Sequence, residues 1–186
     1  MQKEILIAGF GGQGVLFAGQ VMAYAAMDTG KEVTWIPSYG PEMRGGTANC
    51  TVVIADDEIG SPLVKNPPAI IALNLPSFDK YEELVQPGGI LIVNKSMVDR
   101  GASRTDITTI FVPGNEMAEE IGNRRLLNMV MLGALLTRLP ELSIQQIETA
   151  LSAHLPERHK KLLPQNRIAL QRGYDFALQE LEKQKN

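Results

Sequence analysis

Cysteine is almost missing from this sequence: Cys50 stands alone among 186 residues. One thiol makes no internal disulfide and cannot hold an iron–sulfur cluster, which needs several cysteine ligands. There is no C-x-x-C pair, and this usage fits a reducing cytoplasm. Histidine is nearly as scarce. His154 and His159 both lie near the C-terminal end, far in sequence from the glycine-rich segments, so neither is expected to serve as a general base. A dominant charge is also lacking. Eighteen Lys and Arg against 21 Asp and Glu leave a net charge of −3, which gives no broad electrostatic reason to expect nucleic acid. Long apolar runs are missing as well. The most apolar stretch, "RRLLNMVMLGALLTRL" (Arg124 to Leu139), is shorter than the ~20 residues that cross a bilayer. It carries Asn128 and arginines at both ends, so it reads as a buried core helix. "MQKEILIAG" contains an acid and too short an apolar run for a signal peptide. No repeat, low-complexity tract or long linker divides the chain, and one domain over residues 1–186 is expected.

What is present is a globular balance of 44% apolar and 21% charged residues. "KEILIAG" is a continuous apolar run ending in glycine, the mark of a strand buried on both faces. "VLFAGQVMAYAAMDT" follows as a helix pressed on a sheet, with Gly30 as its C-cap. "EVTWIP" reads as a second strand stopped by Pro37. Ser38 to Ala48 reads as loop, "NCTVVIA" as a strand, and "DDEIGSP" as the turn of a short hairpin behind it. "AIIALN" is a strand leading to a helix over about 77–85, opened by Pro76. "ILIVN" and "ITTIFVPG" complete the sheet. The Arg124–Leu139 helix comes next. Ser143 and Gln146 form a capping-box pair for a helix to about Leu155. A last helix from about Gln165 puts Leu170, Tyr174, Ala177, Leu178 and Leu181 on one stripe. The expected fold is a three-layer α/β/α domain, with a mostly parallel, Rossmann-like sheet and a helical C-terminal third.

"GFGGQG" sits where a ligand loop belongs, after a strand and at the start of a helix. Gly9, Gly11 and Gly14 fit G-x-G-x-x-G. Glycines there allow positive φ and close backbone approach, and the first amides of the helix attract an anion. This physics describes a phosphate or carboxylate seat. It equally suits glycines that merely let helix and strand pack closely. Gln13 either faces a ligand or caps the backbone. A dinucleotide reader also wants an acid at the end of the second strand. That strand ends in Ile36, Pro37 and Ser38, while Glu32 precedes it and Glu42 lies beyond a turn. A free-standing dinucleotide-dependent reductase therefore lacks half its signature. A P-loop lacks the Lys-Ser or Lys-Thr pair after the glycines.

The segment "SYGPEMRGGTANC" places Tyr39, Glu42 and Arg44 between glycines, on the loop after the second strand. In a doubly wound sheet that loop shares an edge with the first, where ligands bind. Arg44 either forks onto an anion or pairs with Glu42 on a solvated loop. Gly45 and Gly46 admit close backbone approach. Arg158 to Lys161, "RHKK", either meets phosphates or an acidic partner or is simply solvated. Cys50, within a strand, reads as a small buried hydrophobe.

These segments together resemble the gamma subunit of 2-oxoacid:ferredoxin oxidoreductases. The resemblance runs through "GFGGQGV", "SYGPEMRGGTANC", "LVKNPPAIIALN", "VQPGGILIVN" and "NMVMLGAL", and so covers essentially the whole chain. It implies a subunit that is not catalytic alone. Its complex oxidatively decarboxylates a 2-oxoacid onto coenzyme A and passes electrons to ferredoxin. The resemblance places thiamine diphosphate, Mg and iron–sulfur clusters on alpha and beta subunits, with a ferredoxin-like delta subunit as a further partner. The chain has no Gly-Asp-Gly motif for thiamine diphosphate, in keeping with that division. "GFGGQG" and "RGGTANC" look most like the 2-oxoglutarate type, with branched-chain 2-oxoacids next and pyruvate after them. The resemblance implies that Gly9, Gly11, Gly12, Gln13 and Gly14 seat a phosphate of coenzyme A, and that Tyr39, Glu42, Arg44, Gly45 and Gly46 form an interface or ligand loop. It leaves open a pure scaffold role and a homodimer of the isolated chain.

Overall fold

The computed structural model describes residues 2–39 and 47–184. Among these residues six strands form one sheet: β1 (Gln2–Phe10), β2 (Glu32–Tyr39), β3 (Thr47–Ala55), β4 (Ala69–Ala72), β5 (Ile90–Asn94) and β6 (Thr108–Val112). Their spatial order is β2-β3-β1-β4-β5-β6. β1, β4, β5 and β6 pair in parallel. β3 lies antiparallel between β1 and β2. The helices are α1 (Val15–Asp28), α2 (Leu75–Tyr81), α3 (Gly114–Glu120), α4 (Leu127–Leu136), α5 (Ile144–His154) and α6 (Leu163–Lys183).

The continuous apolar strands are explained by cover on both faces. Ile5, Ile7, Cys50, Val52, Ile71, Ile92 and Ile110 join α1, α4, α5 and α6 in the larger core. Ala8, Ile70, Ala72, Leu91 and Val93 face the other way, against Phe78 and Tyr81 of α2. The alternation along β1 and β4 thus feeds two cores, one on each side of the sheet. The expected α/β fold with helices on both faces and a helical C-terminal third is present.

Several local expectations change. β2 does not stop at Pro37 but runs on to Tyr39. It is an edge strand, where proline's missing N–H costs no ladder bond. Ser38, Tyr39, Thr47 and Ala48, expected as loop, are therefore strand residues. "DDEIGSP" is not a hairpin turn. β3 already pairs with β2 and β1, and the fully buried "AIIA" of β4 takes the central place on the far side of β1. The helix expected at 77–85 starts earlier, at Leu75, because Asn74 accepts a hydrogen bond from Ser77 N at 2.9 Å. It tightens to a 3-10 turn over Glu82–Leu84. The helix expected from Arg124 opens as a 3-10 turn over Arg124–Leu126. It ends at Leu136, where shorter bonds such as Arg138 N to Leu135 O (2.9 Å) take over before Pro140.

Ser143 and Gln146 form the expected capping box: Gln146 N donates to Ser143 Oγ at 3.2 Å and Ser143 N to Gln146 Oε1 at 2.7 Å. α3, short and acidic, gave no apolar period to read. α6 begins before Gln165, and a 3-10 run over Glu157–Leu162 precedes it. Its buried stripe contains Asn166, Ala169, Leu170, Gly173, Ala177 and Leu181. Leu178 lies off that stripe, 42% exposed.

α4 and α6 cross with backbone nearly against backbone. A Cβ built at Gly133 would collide with the Leu170 carbonyl, and one at Gly173 with the Val130 carbonyl. Neither obstacle is a flexible side chain. Gly133→Val should therefore destabilise the fold by about 1–3 kcal/mol or more. That lowers the melting midpoint by roughly 2–10 °C, which thermal melts followed by circular dichroism will measure. An unchanged midpoint would refute this close crossing.

Candidate functional site

β1 delivers the chain to the carboxyl edge of the sheet, and the turn from Gly11 to Gly14 redirects it into α1. Gly12 and Gly14 have φ of 97° and 76°, a left-handed backbone that favours glycine. Gly14 caps α1 with its own carbonyl, accepting from Ala18 N at 3.0 Å. Among the described residues no side chain caps the helix, and the amides of Val15, Leu16 and Phe17 have no intrahelical acceptor. Gly9 and Gly14 are also needed for space. A Cβ at Gly9 would lie 2.7 Å from Gln13 Oε1, and one at Gly14 would run into the Asn128 side chain. At Gly12 the same atom would meet open space. Close packing and an open face therefore coexist in one loop.

Gln13 takes the capping option. Its Oε1 accepts from Phe10 N at 2.7 Å and from Asn74 Nδ2 at 3.1 Å, and its Nε2 donates to Leu73 O at 3.3 Å. Its backbone N–H donates to Phe10 O at 3.2 Å. On the helical side, Asn128 Nδ2 donates to Gly14 O at 3.1 Å. Sequence reasoning singled out neither Asn74 nor Asn128 for the site. The available signal was their position: an asparagine at the end of an apolar strand, and another inside an otherwise apolar helix.

Two clefts meet on the open face of the loop. The larger, of about 740 Å³, is lined by Gly12, Gly14, Phe17, Arg125, Asn128 and Lys161 among others. The smaller, of about 240 Å³, is lined by Gly12, Gln13, Asn115, Glu119, Arg124 and Arg125 among others. Gly12 and Arg125 belong to both. Arg124 is paired with Glu119 at 2.8 Å, while Arg125 and Lys161 have no carboxylate partner among the described residues. The clefts therefore present helix-start amides and uncompensated positive charge, the chemistry of an anion site. Of the basic run at 158–161, Lys161 reaches the larger cleft, whereas Lys160 pairs with Glu157 at 2.5 Å.

Tyr39 ends β2 at this same edge: it stands opposite Ala48, which stands opposite Gly9. Its side chain, and Glu42, Arg44, Gly45 and Gly46 entirely, lie outside the described residues. Glu32 begins β2 opposite Ala55, which stands opposite Gln2, at the far end of the sheet from the glycine loop. It is out of reach of any ribose seated there. His154 is occupied elsewhere, with Nε2 at 3.0 Å from Asp28 Oδ2 and its ring stacked 4.1 Å from that of Tyr24. Among the described residues no group of three or more His, Cys, Asp and Glu could hold a metal ion. No helix among them is long and apolar enough to cross a membrane.

Comparison with known proteins gives this geometry a context. Residues 4–176 match the pyruvate ferredoxin/flavodoxin oxidoreductase family, and the chain belongs to it. It is 37% identical, over 97% of its length, to the ketoisovalerate oxidoreductase subunit VorA of Methanothermobacter marburgensis, of which it spans only 38%. It is 36% identical to the 2-oxoglutarate synthase subunit KorC of Methanocaldococcus jannaschii, covering 95% of each chain. The crystal structure of a keto/oxoacid ferredoxin oxidoreductase gamma subunit from Geobacter sulfurreducens superposes with a TM-score of 0.84. It is 31% identical, with 96% of this chain and 98% of that one covered.

Cys50 lies beneath α1, fully buried. Burial pushes its thiol up to about 12, against smaller opposing contributions from Trp35 and Gly19. The thiolate is therefore negligible near neutrality, and the native chain should resist iodoacetamide at pH 8.5 but be alkylated once unfolded. Rapid native alkylation seen by mass spectrometry would contradict the packed position.

Proposed function

We propose that the chain, acting as one domain over residues 1–186, is the gamma component of a multi-subunit 2-oxoacid:ferredoxin oxidoreductase. Its contribution is a seat for a phosphate of coenzyme A. The observation that carries this reading is the meeting of two clefts at Gly12 and Arg125, on the open face of a strand–loop–helix turn. The larger cleft, with Phe17, Leu126, Leu155 and Leu162 in its wall, suits the less polar parts of such a ligand. The described residues hold no constellation for decarboxylation. That step belongs to alpha and beta subunits carrying thiamine diphosphate, Mg and iron–sulfur clusters, with ferredoxin or a ferredoxin-like delta subunit as acceptor in the cytoplasm. In the assembled reaction the 2-oxoacid loses carbon dioxide, its acyl group joins the coenzyme A sulfur as the thiol gives up its proton, and two electrons leave for ferredoxin.

For substrate we propose 2-oxoglutarate. KorC of Methanocaldococcus jannaschii matches this chain end to end at 95% of each. A branched-chain 2-oxoacid is the second reading, supported by the 37% identity to VorA, though that protein is much longer. We place Tyr39, Glu42, Arg44, Gly45 and Gly46 at the interface with the catalytic subunits. β3 begins beside Phe10 and Gly9, and β2 ends beside Ala48 of β3, so both strand ends that flank this segment lie at the glycine loop's edge of the sheet, which supports that placement.

Affinity purification of the tagged chain from native extract should bring down larger subunits that bear thiamine diphosphate and iron–sulfur clusters, and turnover should be fastest with 2-oxoglutarate. Recovery of the chain alone, or turnover of a 2-oxoacid by the chain alone, would overturn the subunit reading. Gly12→Val should raise the KM for coenzyme A by about tenfold, equivalent to about 1.4 kcal/mol; no described atom crowds that position, and the strain of a side chain at φ 97° falls on the exposed turn, so assembly survives. Unaltered coenzyme A kinetics in the assembled variant would show the loop to be idle. Arg44→Ala should weaken assembly or turnover, and full retention of both would remove that loop from the interface.

A further inference from the structure

The glycine loop is gripped by neutral carboxamides. On the sheet side, Asn74 is 1% exposed and donates to Gln13 Oε1 while its own Oδ1 caps α2 at Ser77 N. Leu73 O accepts from Gln13 Nε2 and from Asn94 Nδ2, and Asn94 Nδ2 also reaches Asn115 Oδ1 at 3.1 Å. On the helix side, Asn128 holds the Gly14 carbonyl from the wall of the larger cleft. Around Gln13 and Gly14 these groups come from the link between β4 and α2, from β5, α3 and α4, and they converge on a single turn. Asparagine is a specific requirement here. A carboxylate is nearly isosteric and an equally good cap for α2, but it cannot donate to Gln13 Oε1 or to Gly14 O. It would also add negative charge beneath the amides. Among the described residues lining the two clefts, Glu119 is the one carboxylate, and Arg124 neutralises it.

We propose that Asn128 and Asn74 are positioning residues for coenzyme A. They fix the loop in its anion-accepting shape and do so without the charge that would repel the ligand's phosphate. This inference rests on the coenzyme A seat proposed above. It assigns the affinity of that seat to two residues that need not touch the ligand.

The test uses the complex purified with its partner subunits, measuring the KM for coenzyme A and for 2-oxoglutarate in each variant. Asn128→Asp should raise the coenzyme A KM about tenfold or more and leave the oxoacid KM within about twofold. Asn128→Leu removes the donor without adding charge and should give a smaller rise, although it departs further from the native chemistry. A purely structural residue would show the opposite order. Asn74→Asp keeps the α2 cap, so it decides the matter if the Asn128 variants do not assemble; it too should raise the coenzyme A KM selectively. The proposal falls if both aspartate variants leave that KM within about twofold. It also falls if the oxoacid KM rises equally, or if Leu is as damaging as Asp at position 128. Gly12→Val separates the two claims. A raised coenzyme A KM in that variant, with no response to the asparagine changes, removes the positioning role alone. No response to any of these substitutions removes the seat itself.

Discussion

The left-handed turn at Gly14 is the constraint on which the rest of the site depends. It lets β1 end and α1 begin within a few residues, which fixes where the helix-start amides point. It also leaves no room for a side chain, since Asn128 occupies that space. Gly9 plays the matching role on the strand side, where Gln13, Leu73 and Val15 crowd in. Close packing and ligand capacity are thus complementary uses of the glycines: Gly9 and Gly14 are filled from behind, and Gly12 is left bare in front.

The sheet was readable because burial on both faces writes itself as unbroken apolar runs. "KEILIAG" and "ILIVN" are strands in the structure, as is the "AIIA" that opens "AIIALN". The order of the strands was less readable. β3 turned out to be a hairpin partner of β2, sliding between β2 and β1, because pairing is decided by which edges remain free. Pro37 misled for a related reason: its cost depends on whether a neighbour lies alongside, and at the sheet edge none does. Leu178 was assigned to the core by spacing alone. Gly173 and Asn166, which do lie on the buried stripe, carry no apolar signal.

The glycine loop was legible from motif and context, but its support was not. Asn74 lies 61 residues from Gln13, and Asn128 lies 114 residues from Gly14. Nothing local in the sequence joins such pairs. Arg125 is a similar case. It looks like one of several helix-end arginines until the fold sets it between two clefts with no carboxylate partner among the described residues, while its neighbour Arg124 is paired.

The glycine crossing of α4 and α6 has a consequence beyond stability. Asn128 comes from one of these helices and Asn166 from the other, and both line the larger cleft. With carbonyl oxygens of each helix lodged against the glycines of the other, the two cannot slip past one another as helices separated by long side chains do. The stretch of wall they share is fixed by close packing before anything enters. A guest then forfeits its own freedom on entry, while its host has little left to lose.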